Sequence, residues 1–185
     1  MARPIKYNKA EVLNNAMKLF WKHGYDSTSM KDLIDATGLT TRSLYNMFES
    51  KNGLFKAALE WYYTLSVDSR FERLKREQGL TAIRNYMDTV AKRKSENGCL
   101  FVNTTSDRFN IEENCLDFVE DYFDLLENEF ISKFEYAKEF EDFRGNPKIS
   151  AKQLIILIEG ISVHSKKYPD YNSDLVSNLL ELMEI

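Results

Sequence analysis

The chain has 185 residues and a formal net charge of −4, with 43% hydrophobic and 29% charged residues, a balance that excludes a disordered chain. Its 7 Gly and 3 Pro are too few for a turn-rich sandwich or barrel, and no run of about 18 apolar residues reads as a membrane span. The start Met1-Ala2-Arg3-Pro4-Ile5-Lys6 lacks the apolar region of a secretory signal, and two cysteines, Cys99 and Cys115, cannot staple a fold of this length. A soluble, cytoplasmic, all-α protein is expected.

In chain order, Lys9 to His23 carries Val12, Leu13, Ala16, Leu19 and Phe20 at helical spacing, and Gly24 stands where a helix ends. Ser29 and Asp32 have capping-box spacing before a short second helix with Met30, Leu33 and Ile34 on one face. That helix stops at Thr37-Gly38. A third starts at Thr40 with Leu44 and Phe48 inward, and a long fourth runs from Ser50-Lys51 to about Glu77. Further helices are predicted over Leu80 to Asn97, Cys99 to Arg108, Asn110 to Phe140 and Ile149 to Lys167. Tyr168-Pro169-Asp170 turns the chain into a ninth helix carrying Leu175, Val176, Leu179, Leu180, Leu182 and Met183. The run Leu154-Ile155-Ile156-Leu157-Ile158 is apolar nearly all round, so its helix is covered on two sides, either by the body of the fold or by a partner subunit.

Charge divides the chain. Residues 1–60 hold nine Lys/Arg against six Asp/Glu, a net of +3, which leaves −7 for the remainder. A basic head on an acidic body suggests that polyanion contact is confined to the head. Within it, residues 29–48 have the anatomy of a helix-turn-helix, whose second helix opens with the slim or reaching residues Thr40, Thr41, Arg42 and Ser43. A helix fits the B-form major groove and meets base edges with its N-terminal residues. Arg42 is suited to a guanine O6/N7 pair, while Tyr45, Ser29 and Lys51 would hold phosphates, which set register only. Arg3 and Lys6 would form an N-terminal arm.

The order Thr28-Ser29-Met30, Gly38, Leu44-Tyr45-Asn46-Met47-Phe48 and Ser50-Lys51, after Phe20-Trp21-Lys22-His23-Gly24-Tyr25, resembles the DNA-binding head of TetR-family repressors. Gly98-Cys99-Leu100-Phe101-Val102-Asn103-Thr104 is similar to a segment common in one branch of that family. The resemblance implies DNA contact by Ser29, Lys31, Thr41, Arg42, Ser43, Tyr45 and Lys51. Arg42 stands where many relatives have Gly, Pro or Ala, and Met47 where many have an aromatic or His.

The expected architecture is about nine helices: a helix-turn-helix domain over 1–56 and a helical ligand-binding and dimerisation domain over 57–185. The expected function is a sequence-specific, homodimeric transcriptional repressor on a pseudo-palindromic double-stranded operator, released by a small-molecule or electrophile effector. Leu154, Ile155, Leu157, Ile158, Leu175, Leu179 and Leu182 are the expected dimer interface. Trp61, Tyr62, Phe101, Phe109, Phe118, Tyr122 and His164 are the expected pocket walls. Cys99, at a helix start that lowers a thiol pKa, is a candidate redox sensor or a simple packing residue. His23 and His164 lack companions at ligand spacing, so no metal or cofactor is expected. No catalytic motif is recognisable, which argues against an enzyme; a helical adaptor acting through protein partners is the alternative.

Overall fold

The structure is a computed structural model that describes residues 7–93, 95–168, 172–183 and 185. Its elements are α1 (Lys9–Ser27), α2 (Met30–Thr37), α3 (Thr41–Phe48), α4 (Lys51–Ser66), α5 (Asp68–Arg76), α6 (Gly79–Ala91), α7 (Leu100–Ser106), α8 (Glu113–Phe140), α9 (Pro147–His164) and α10 (Asn172–Leu182), with a 3-10 turn at Arg108–Asn110. No strand occurs among the described residues. Arg3 and Lys6, and the Pro169-Asp170 part of the expected turn, lie outside them.

α1 buries Val12, Leu13, Ala16 and Phe20 against α4, and α2 and α3 close the head with Leu33, Leu39, Leu44 and Phe48. Phe20 and Phe55 meet edge to face at 4.8 Å. In the body, α8 is the central rod, packed on α6 and α9 through Val119, Leu126, Phe130 and Phe134. α4 serves both halves, with Leu54 and Phe55 in the head and Leu59 and Tyr62 reaching the body.

Several expected helices have different bounds. The long fourth one breaks at buried Val67 into α4 and α5, a joint that the sequence hides because the apolar pattern continues across it. The next ends at Ala91 instead of Asn97, since the run from Lys92 to Gly98 has no apolar residue to bury. α8 starts at Glu113, after the 3-10 turn. α1 continues one turn beyond a kink at Gly24, where φ is 78°.

The apolar run of α9 divides by face. Leu154, Ile158 and Ile161 are buried within the protomer against the body, so Leu154 and Ile158 belong to its own core and not to an outward surface. Ile149, Ile156 and Val163, seven residues apart, are exposed, and Ile155 and Leu157 lie between.

Candidate nucleic-acid interface

Two caps and one tight turn shape the helix pair. Ser29 Oγ accepts from Asp32 N (3.1 Å), while Ser29 N and Oγ donate to Asp32 Oδ2 (2.9 and 2.6 Å), a reciprocal box at the start of α2. Those bonds hold the Asp32 carboxyl below its ordinary range, the Ser29 hydroxyl contributing most. Gly38 follows α2 with φ 70° and ψ 6°, left-handed geometry that a Cβ disfavours, and its N–H bonds Ile34 O. Asn15 Nδ2 of α1 donates to Ala36 O at 3.0 Å and ties α2 to the scaffold. Thr40 then caps α3, accepting from Ser43 N at 3.1 Å.

α3 is amphipathic in the way a groove reader requires. Leu44 is fully buried and Phe48 nearly so, whereas Thr41, Arg42, Tyr45 and Asn46 form one exposed face. Tyr45 is 47% exposed, so it is no core tyrosine. Among the described residues, Arg42 has no hydrogen-bond or ion-pair partner. Ser43 is half-buried and its Oγ accepts from Thr40 Oγ1 at 2.9 Å, leaving its own proton free. Lys31 is exposed beside Ser29 at the start of α2. Asn46 is the surface residue that sequence reasoning passed over; its signal is its place four residues after Arg42, one turn along the same face.

At the corner between α3 and α4, Ser50 Oγ accepts from Gly53 N at 2.9 Å. A Cβ at Gly53 would lie 2.0 Å from Phe48 O, so only glycine lets the end of α3 rest on the first turn of α4. Lys51 opens α4 with its Nζ 4.2 Å from the centre of the Tyr25 ring. Burial there moves its pKa down, partly offset by Asp26. The first N–H groups of α4 lack intrahelical partners and suit an anion at the same place.

Of the expected pocket walls, Tyr62, Phe101, Phe118 and Tyr122 come together: Tyr62–Phe101 is 5.1 Å, Phe101–Phe118 5.9 Å and Phe101–Tyr122 5.2 Å between ring centres. Phe109 does not join them. It is 95% exposed on the 3-10 turn, which holds it away from the core. His164 faces Tyr168 at 4.9 Å, and Trp61 is half-buried. Cys99, 8% exposed, precedes α7 and accepts a hydrogen bond from Tyr62 OH at 3.3 Å. Leu175 and Leu182 of α10 are exposed and Leu179 is half-buried. Among the described residues no group of three His, Cys, Asp or Glu is placed to hold a metal ion, and no helix is long and apolar enough to cross a membrane.

Residues 12–58 match the family model for bacterial regulatory proteins, tetR family. The chain is 35% identical over 107 residues to the HTH-type transcriptional repressor ComR of Escherichia coli, covering 55% of this chain and 51% of ComR. It is 25% identical over 150 residues to the uncharacterized HTH-type transcriptional regulator YezE of Bacillus subtilis, covering 78% and 77%. The match therefore spans about half the length of ComR. A cysteine variant of the TetR family transcriptional regulator CifR, complexed with 26-bp double-strand operator DNA, has the same fold, with a TM-score of 0.84 at 22% identity over 97% of this chain and 98% of that one. Reduced NemR of E. coli gives 0.78 at 19% identity over 94% and 93%.

Proposed function

The chain belongs to the tetR family of bacterial regulatory proteins, and on that premise we propose that it is a homodimeric, sequence-specific transcriptional repressor in the cytoplasm, released from its operator by a small molecule. The observation that carries this reading is the exposed face of α3, where Thr41, Arg42, Tyr45 and Asn46 project from a helix whose other face is locked into the head by Leu44 and Phe48. Arg42 reads a guanine through O6 and N7, and Asn46 is placed to pair with an adenine. Ser43 and Thr41 line the same entry. Lys51, Lys31, Ser29 and Tyr45 hold phosphates on either side, and they position the head without reading sequence. Because the Ser29 hydroxyl proton and N–H are both committed to Asp32, Ser29 acts there only as the cap, and the phosphate is met by the free N–H groups of Met30 and Lys31 at the α2 start.

The exposed Ile149, Ile156 and Val163 of α9, with Leu175, Leu179 and Leu182 of α10, are the surface by which two copies pair. Two heads then meet successive major grooves about 34–36 Å apart. An effector in the body would change that spacing through α4, whose two ends serve both halves. Cys99 contributes to release if an electrophile reaches its thiol; thiol labelling at neutral pH with loss of DNA binding tests this, and an inert Cys99 leaves it a packing residue.

The test is fluorescence anisotropy on duplexes selected from random sequence. Arg42→Ala should cost about 1–3 kcal/mol on the selected site and relax preference at one base pair. Lys51→Ala should weaken all duplexes alike. An empty selection would overturn the repressor reading and leave the protein-partner adaptor.

A further inference from the structure

A lysine loses rotamer freedom when a phosphate fixes it, so a contact made by a freely moving lysine is a weak one. Lys51 is not freely moving. Its Nζ lies 4.2 Å from the centre of the Tyr25 ring, the shortest cation-to-ring contact among the described residues. The face of a tyrosine attracts a cation, more strongly where water is partly excluded, and burial at Lys51 is enough to move its pKa down. The ring itself has a fixed seat. Beyond the kink at Gly24, Tyr25 packs on Phe55 of α4 at 5.0 Å and stacks beside Phe20 at 6.0 Å between ring centres, and both phenylalanines are buried. The neighbouring carboxylate is engaged elsewhere: Asp26 Oδ2 accepts from Asn110 Nδ2 at 2.9 Å. None of the ion pairs among the described residues joins Asp26 to Lys51.

We infer that Tyr25 is a positioning residue for the phosphate contact of Lys51, its ring holding the ammonium at the start of α4 before DNA arrives. A ring suits this task better than a carboxylate would. An ion pair neutralises the lysine and has to be broken for a phosphate, whereas an uncharged ring leaves the full positive charge for the incoming anion. The place fits as well. Gly53 N is taken by Ser50 Oγ at 2.9 Å and Leu54 N by Ser50 O at 3.1 Å, so the N–H groups of Lys51 and Asn52 remain at the end of α4 for the same anion. Ordering of the Lys51 side chain then occurs on folding and is not left for binding. Because the face of the ring makes the contact, the Tyr25 hydroxyl is dispensable for it and phenylalanine would serve. This deepens the role proposed for Lys51 and rests on the repressor reading for its consequence at DNA.

Two measurements separate the contact from its consequence. In the free protein, NMR of the Lys51 ε-methylene protons should show an upfield ring-current shift, kept in Tyr25→Phe and lost in Tyr25→Leu. Ordinary lysine shifts in the wild-type protein would overturn the contact, whether or not either variant folds. On a selected duplex, anisotropy should give Tyr25→Phe the affinity of wild type and make Tyr25→Leu about two- to fivefold weaker per head. That loss should be equal on selected and scrambled duplexes, with the salt slope kept because the charge of Lys51 is still present. In a Lys51→Ala background, Tyr25→Leu should cost nothing further. A loss that persists there would make Tyr25 a packing residue of the head, and tighter binding by Tyr25→Leu would mean that the ring withholds the ammonium from DNA; either result overturns the positioning role. Failure of the wild-type protein to bind any selected duplex overturns the repressor reading, and the role at DNA with it, while the ring-current shift still decides whether the contact exists.

Discussion

Single residues decide how the reading helix is presented. Asp32 is fully engaged by Ser29, and a carboxyl held below its ordinary value of 3.8 contributes stability above that value and loses it as pH falls through the lowered one. An NMR titration of the Asp32 carboxyl should therefore give a midpoint below 3.8, and a midpoint at or above it would show that the box is open in solution. Gly53 sets the corner of α3 and α4 by close approach, 2.0 Å from a hypothetical Cβ to Phe48 O. Since that neighbour is backbone, Gly53→Ala should destabilise by about 1–3 kcal/mol in chemical denaturation. A neutral result would mean that the corner yields. Cys115 shows the opposite of reactivity: burial pushes its thiol up to about 11, and its Sγ donates to Asn52 Oδ1 at 3.3 Å. It should resist a thiol reagent near neutral pH until the protein unfolds.

At the scale of elements, α9 carries a residue that its own protomer does not explain. Gly160 is exposed in mid-helix, and a Cβ there would meet nothing within 4 Å. Helix propensity disfavours it by about 1 kcal/mol relative to alanine, and it stands between Ile156 and Val163 on the outward stripe that the proposed pairing of two copies uses. If two copies pair through α9 as proposed, Gly160→Leu should keep the helical circular dichroism and give a species of 21.7 kDa by light scattering. A dimer that survives the change would remove α9 from the interface. The start of α4 is tied to α8 in a different way. Asn52 Nδ2 donates to Glu112 Oε2 (3.0 Å) and Asn114 Oδ1 (2.9 Å), one residue from Lys51. Asn52→Leu leaves those acceptors unmatched and should weaken any effect of the body on DNA affinity more than DNA affinity itself.

For the whole molecule, the electrostatics of two heads add if two copies pair as proposed. A dimer with one Lys51 per head should lose about 2 units of salt slope, in the plot of log affinity against log salt, when both are replaced by alanine. An unchanged slope would place Lys51 away from the backbone. The acidic body, −7 against +3 for residues 1–60, keeps that attraction confined to the heads.

Much of the head was legible from the chain itself because its signals are local. Ser29 and Asp32 are three residues apart, Gly38 ends a helix where a left-handed turn is needed, and Leu44 and Phe48 repeat at one helical turn. Such features act through backbone bonds within a few residues, so spacing alone determines them, and the exposed face of α3 follows as the remainder. What the tertiary structure alone decided depends on neighbours far along the chain. Leu154 and Ile156 are equally apolar, yet packing on α8 buries the first and leaves the second 67% exposed. Phe109 reads like any core aromatic, and the 3-10 turn turns it out to water. A one-dimensional pattern records what a residue prefers, and the packing of distant helices determines which of those preferences is met.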